Sequence, residues 1–170
     1  LPLGTVRTTA QMAAQVRGQA GWNYHIPVAK PLVLPERQLP IDPYTLGVWL
    51  GDGNARGGRI TSADSEILEA VGVAGYAYHR VESSGPYEYR VEGLTAQLRS
   101  LGVLQHKHIP PLYLRASESQ RRALLMGLMD TDGSCALDGG CTFCSTSPEL
   151  IMGIRELLSS LGIRSAIHSQ

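Results

Sequence analysis

The chain carries no net charge, with 15 lysines and arginines against 15 aspartates and glutamates in 170 residues. A nucleic-acid binder is expected to show a basic face, so composition by itself does not suggest one, and local arrangement has to decide. No apolar run approaches the ~20 residues needed to cross a bilayer, and the start does not read as a signal peptide. The expectation is a soluble, cytoplasmic protein with no membrane partner. Only three cysteines are present, an odd number, which argues against a disulfide framework and points to a reducing compartment. What the chain does have is 43% hydrophobic content, enough to bury the core of one domain.

Two segments stand out. Leu46-Gly47-Val48-Trp49-Leu50-Gly51-Asp52-Gly53 and Leu125-Met126-Gly127-Leu128-Met129-Asp130-Thr131-Asp132-Gly133 each end in an aspartate followed by glycine, and Asp52 and Asp132 lie 80 residues apart. Each places a small residue at Gly47 or Gly127 and another four positions later at Gly51 or Thr131, so one helix face is nearly flat. Two such faces can pack almost backbone to backbone, bringing Asp52 and Asp132 side by side. A carboxylate at a helix C-terminus faces the negative end of the macrodipole, and a second beside it adds repulsion. Something positive is needed between them, and a divalent metal is the obvious candidate. An isolated Asp-Gly pair is commonly a plain turn or helix cap. Here the following residues repeat as well: Thr61-Ser62-Ala63-Asp64-Ser65-Glu66-Ile67 matches Cys144-Ser145-Thr146-Ser147-Pro148-Glu149-Leu150 in type and order. The chain reads as two copies of one unit.

These motifs resemble those of the LAGLIDADG homing endonucleases, in the single-chain, two-motif form found inside inteins. The second motif matches that signature closely, whereas the first has Leu50 where the signature has its first acid. The acid just before the final glycine, the family's catalytic one, is present twice as Asp52 and Asp132. Lys107-His108-Ile109-Pro110 resembles the Lys-x-Ile-Pro block between the two motifs of intein endonucleases. The match runs from about Leu39 to Ile163. The run Leu39-Pro40-Ile41-Asp42-Pro43-Tyr44 resembles inteins of bacterial replicative helicases, and residues 1–41 resemble the connector and accessory DNA-binding segment of inteins. With Leu1 at its start and Ser169-Gln170 at its end, the chain lacks the terminal nucleophile and His-Asn pair of self-splicing and is not expected to splice alone.

Along the chain, Thr8-Thr9-Ala10-Gln11 has capping-box spacing and predicts a helix ending at Gly18. Trp22 to Val28 reads as a strand, and Pro27, Pro31, Pro35 and Pro40 then impose an extended connector. Residues 1–41 hold Arg7, Arg17, Lys30 and Arg37 against Glu36 as the one acid. Asp42-Pro43 caps the first motif helix. A turn over Asn54–Gly58 follows, then a strand over Arg59–Ser62 and a helix over Asp64–Val71 stopped by Gly72. Two strands, Gly75–Glu82 and Tyr87–Glu92, form a predicted hairpin with one polar face. A helix over Leu94–Leu101 and a loop at Lys107 complete the first copy, and the second motif helix over Glu118–Thr131 begins the cycle again. The second copy has a hairpin over Ser134–Ser145 turning at Asp138-Gly139-Gly140, then an amphipathic helix over Pro148–Leu161. It stops short of a later hairpin and final helix, and no counterpart of Lys107 is evident in it.

The expected fold is α+β: two pseudosymmetric αββαββα-type repeats with paired motif helices at the centre and flanking antiparallel sheets, the second repeat incomplete. The expected boundaries are 1–41 for the connector, 42–120 for the first repeat and 121–170 for the second. The resemblance implies sheets that form a saddle over the DNA major groove. A two-stranded ribbon fits that groove, and the candidate readers are Arg56, Arg59, Tyr78, Arg80, Glu88 and Arg90, each otherwise an ordinary solvated strand residue. Phosphodiester hydrolysis needs an activated water and a stabilised leaving oxygen, and oxygen-ligated Mg²⁺, or Mn²⁺ in its place, serves both. Asp52 and Asp132, with their neighbours Gly51 and Thr131, are the expected metal residues. Lys107 is the expected cation beside the water or phosphate, and Asp130, two residues before Asp132, is supporting. A zinc site from Cys135, Cys141, Cys144 and His168 is the rival for the cysteines, but residues three apart on a strand face opposite ways and no second Cys-x-x-Cys exists. Gly51-x-Gly53 follows a helix, where a nucleotide loop requires a strand.

Expected partners are double-stranded DNA and the splicing domain of the same precursor, with the chain acting as a monomer. The leading function is a metal-dependent, site-specific DNA endonuclease. The alternative is a non-cleaving DNA-binding or inert scaffold within an intein, favoured by the zero net charge and the short second copy.

Overall fold

A computed structural model of the chain describes residues 6–24 and 27–168. Helices and short antiparallel strands are mixed, as in an α+β protein. In order they are α1 (Thr9–Ala13), β1 (Arg17–Gly18), β2 (Gly21–Trp22), α2 (Pro43–Asp52), β3 (Arg59–Thr61), α3 (Ser65–Val73), β4 (Tyr78–Arg80), β5 (Glu88–Val91), α4 (Leu94–Ser100), α5 (Pro111–Leu114), α6 (Glu118–Asp132), β6 (Gly133–Cys135), β7 (Cys141–Phe143) and α7 (Pro148–Ser160). No helix among the described residues is long and apolar enough to cross a membrane.

The two motif helices, α2 and α6, form the centre. Asp42 caps α2 by accepting from the Thr45 N–H, with Pro43 in the first turn. A capping box between Ser117 and Gln120 starts α6. Leu46, Val48, Trp49 and Leu50 from α2 are buried with Leu124 and Leu128 from α6. The glycines explain how closely the helices approach. A Cβ on Gly127 would stand 2.8 Å from the Val48 nitrogen and closer still to the Tyr44 carbonyl, and one on Gly47 would stand 2.9 Å from the Leu128 nitrogen. Only glycine lets these backbones touch.

β3, β5 and β4 form a three-stranded antiparallel sheet in that order, while β6 and β7 form a two-stranded one. The sheet's inner face carries Ile60, Tyr89, Val91 and Tyr78, with Ile60 and Val91 buried and the rings of Tyr78 and Tyr89 meeting edge-on at 6.1 Å. Helices α3 and α4 contribute Ile67, Val71, Leu94 and Leu98 to the same core, and α7 contributes Leu150, Ile154 and Leu157.

Several expected elements are shorter than the pattern implied. Helix α1 keeps its Thr8–Gln11 capping box but ends at Ala13, because Arg17–Gly18 instead pairs with Gly21–Trp22 around Gly21 at φ +119°. The strand expected over Trp22–Val28 is reduced to its first residue among those described, and residues 25 and 26 of that span lie outside them. Helix α3 runs through Gly72 and the chain turns at Gly75, φ +95°. The single turn of α5 was not anticipated, nor the 3₁₀ turn Glu82–Ser84 between β4 and β5.

The proline-rich connector is extended, as expected, and is held from below. Arg121 is fully buried in α6, with no carboxylate paired to it among the described residues. Its guanidinium donates to the carbonyls of Ala116 (2.9 Å), Ser160 (2.7 Å) and Leu32, and to the Ser160 hydroxyl (2.6 Å). Gln120 exchanges two hydrogen bonds with the Arg37 backbone, and the Tyr113 hydroxyl does the same with Ile41. Each such bond stabilises by about 1 kcal/mol net, so residues 32–41 are part of the folded body.

Candidate active site and nucleic-acid face

Because α2 and α6 end at the same level, they deliver Asp52 and Asp132 to one place. Burial and then the charge of Asp132 push the Asp52 carboxyl above the usual carboxylate range, with Lys107 pulling the other way. Lys107 reaches in from the loop before α5. Its ammonium donates to the Gly51 carbonyl at 2.6 Å and lies 5.3 Å from the centre of the Trp49 ring. Burial lowers its affinity for the proton, and Asp132 and Asp52 act against that loss. Asp52, Asp132 and Lys107, separated by up to 80 residues in sequence, therefore form one electrostatic cluster.

A cation suits this cluster. The donors are all oxygen, two carboxylates and the Gly51 carbonyl, a set that favours hard divalent ions, and the Lys107 ammonium already supplies positive charge there. The Thr131 hydroxyl is spent inside its own helix, donating toward the Gly127 and Leu128 carbonyls at 3.0 and 2.9 Å. That leaves its carbonyl as the donor it could offer. Its side chain lies against Gly51, where a Cβ would collide with it. Asp130 lies away from the pair and accepts from the Tyr44 hydroxyl at 3.0 Å, tying the start of α2 to the end of α6. Among the described residues no three His, Cys, Asp or Glu side chains, Cys135, Cys141, Cys144 and His168 included, cluster as a metal site.

The strand register sorts the candidate readers. Arg59 faces Arg90, Thr61 faces Glu88 and His79 faces Arg90, so these five share the outer face of the sheet. Arg59 and Glu88 pair at 3.4 Å, and His79 meets Glu92 at 3.1 Å. Arg56, exposed in the turn before β3, joins Arg59 and Arg90 around a shallow cavity of about 400 Å³. Tyr78 and Arg80 do not share this face, which corrects the expectation that they line up with Glu88 and Arg90. Tyr78 pairs with buried Val91 and Arg80 with Tyr89, one residue out of phase. Sequence reasoning missed His79 and Thr61 on the outer face. It also missed Ser134 and Thr142, which pair across β6–β7 on the face opposite the core-packed Phe143. Strand alternation identified both sets, but only the register says which set faces out.

Residues 119–170 match the family model of the LAGLIDADG-like domain. That stretch contains most of α6, the ribbon β6–β7 and α7, and with them Asp132; Asp52 and Lys107 lie before it. The chain is also similar to the replicative DNA helicase DnaB of Mycobacterium intracellulare, 43% identical over 162 residues. That alignment takes in 94% of this chain and 26% of the relative, so the chain spans about a quarter of the length of the curated relative it matches. LAGLIDADG proteins are generally nucleases that use divalent metals.

Proposed function

We propose that the chain is the homing endonuclease domain of an intein in a replicative helicase, making a site-specific double-strand break in DNA by metal-dependent phosphodiester hydrolysis. The observation that carries this reading is the convergence of Asp52, Asp132 and Lys107 at the ends of two glycine-packed helices. In this reading residues 42–120 and 121–170 are two pseudosymmetric repeats, the second lacking its later elements, and residues 1–41 are the connector. The protein acts as a cytoplasmic monomer, with the splicing domain and the DNA target as its partners.

Asp52 and Asp132 would hold Mg²⁺ or Mn²⁺ with the Gly51 and Thr131 carbonyls. A bound divalent ion supplies Lewis acidity toward the phosphate and the attacking water. The residues themselves orient and neutralise. The two carboxylates fix the reacting centre midway between the repeats, within reach of both strands. The Lys107 ammonium, held against Gly51, places positive charge where the phosphorane oxygens gain negative charge. Outer-face Arg56, Arg59, Glu88 and Arg90, joined by His79, would read base edges and phosphates in the major groove. Tyr78 stays in the proposed set only as a support beneath that face, and Arg80 only as a strand-edge phosphate contact.

A plasmid bearing the helicase gene without the intein, incubated with the protein and with Mg²⁺, Mn²⁺ or chelator, tests this. Cleavage at one site, dependent on metal and lost in both Asp52→Asn and Asp132→Asn while DNA affinity persists, is the expected result. Lys107→Ala should slow cleavage less severely than either. Wild-type protein that binds the target but leaves it intact with both metals would favour a second reading, a non-cleaving DNA-binding scaffold. The sheet β6–β7 has two strands where the first half has three, which is the observation that supports the second reading.

A further inference from the structure

The ribbon that leaves Asp132 carries two thiols that face each other. Cys135 on β6 lies directly opposite Cys141 on β7. The backbone hydrogen bonds settle which kind of pair this is. The Cys144 N–H donates to the Asp132 carbonyl at 3.4 Å and the Ala136 N–H to the Gly140 carbonyl at 2.8 Å. Bonded pairs therefore alternate at 132/144, 134/142 and 136/140, and Cys135 and Cys141 occupy the unbonded position between two of them. There antiparallel strands come closest, about 4.5 Å between Cα atoms, with both side chains leaving the same face. That separation lies at the short end of the ~4.4–6.8 Å range a disulfide accepts.

Other features agree. Both thiols are exposed, so a small reagent can reach them. The Cys141 thiol contacts the Gly139 carbonyl at 3.8 Å. Cys144 is also exposed but stands opposite Asp132 rather than a thiol. The endonuclease reading has no use for any of the three.

We propose that Cys135 and Cys141 form a reversible redox pair, oxidised by a low-molecular-weight disulfide such as glutathione disulfide to a cross-strand link that clips the turn 136–140. One thiolate attacks glutathione disulfide and releases a glutathione thiolate. The second then displaces glutathione from the mixed disulfide. Two electrons pass from the protein dithiol to glutathione disulfide, giving one protein disulfide and two molecules of glutathione, and the two thiol protons go to the released thiolates. A link on this exposed ribbon is open to attack by thiolate and easily reduced, so excess glutathione reverses the reaction. The link would stiffen the ribbon three residues beyond Asp132 while adding nothing to the opposite face, where Ser134 and Thr142 lie.

The test reads thiols, not cleavage, so it stands apart from the nuclease reading. The purified chain is equilibrated in glutathione buffers of rising oxidised fraction, quenched by alkylation, and measured by intact mass and peptide mapping. Expected is the concerted loss of two alkylatable thiols, a peptide linked through Cys135 and Cys141, Cys144 still free of any protein link, and full reversal by glutathione. Cys141→Ser and Cys135→Ser should each stop at a mixed disulfide on the remaining partner. Three thiols that take up glutathione independently, or a link that runs through Cys144, would overturn the proposal.

Discussion

Gly127→Ala tests the close helix contact on which the site depends. The new methyl would meet the Tyr44 carbonyl and the Val48 nitrogen, both backbone atoms that cannot rotate away, so the helices must separate. Overpacking of this kind costs roughly 1–3 kcal/mol, and immovable neighbours place it near the top of that range. Replacing a mid-helix glycine returns about 1 kcal/mol of helix propensity. The balance is a loss of about 2 kcal/mol, or a fall of about 4–8 °C in Tm for a chain of this size. Gly47→Ala meets the same interface from the other side and should cost about as much. The double variant should lose less than the sum, because the first methyl already parts the helices. Gly72→Ala is the control. It lies within α3 with nothing nearer than the Tyr78 ring edge at 3.4 Å, and should gain about 0.5–1 kcal/mol. Thermal unfolding followed by circular dichroism measures all four. Parting the helices also separates Asp52 from Asp132, so an NMR titration of Gly127→Ala should find the Asp52 carboxyl nearer its ordinary range. A Gly127→Ala protein that melts at or above wild type, beside a normal Gly72→Ala, would refute the close-packing argument.

Other expectations concern charge and the connector. The raised Asp52 carboxyl costs the folded state stability at neutral pH, where both states are ionised, and that cost disappears below the ordinary value of 3.8, where both are protonated. In metal-free buffer Asp52→Asn should therefore raise Tm at pH 7, with the gain closing as pH falls toward 3.8; a gain that persists under acid would contradict the cause. Added Mg²⁺ should raise the Tm of wild type more than that of Asp52→Asn, as ligand linkage requires. For target DNA, Arg59→Ala, Arg80→Ala and Arg90→Ala should each reduce the slope of log affinity against log salt by about one, and Arg80→Ala should do so without relaxing sequence preference, in fluorescence anisotropy titrations. Arg121→Met leaves buried carbonyls without donors at about 1–3 kcal/mol each, so trypsin should cut after Arg37 faster than in wild type.

Local chemistry was readable where it depends on neighbours in sequence. Thr8, Asp42 and Asp64 each cap a helix through a bond to an N–H two or three residues away. The motif helices and both expected hairpin regions were legible for the same reason. Features set by distant partners were not. Nothing near Tyr78 in the chain says that Val91 will stand opposite it, and a single step of register moved Tyr78 and Arg80 off the outer face. Arg121 reads as an exposed helix arginine beside Arg122, yet Leu32 and Ser160 close over it. Lys107 was suggested by its Lys-x-Ile-Pro context, but its bond to Gly51 spans 56 residues that no local pattern encodes.

The contact between α2 and α6 also sets a schedule for synthesis. The Gly47–Gly51 face of α2 finds its partner only when α6 has been made, 80 residues after α2 by the spacing of Asp52 and Asp132. At ~5–20 residues per second, a ribosome needs roughly 4–16 s to cover that distance. For that time an apolar helix with a flat glycine face is without its mate, and β3–β5 can shield only its sheet-facing side. The nascent first half is thus a natural client for a chaperone, and codons that slow translation between Leu101 and Ser117 would lengthen that dependence.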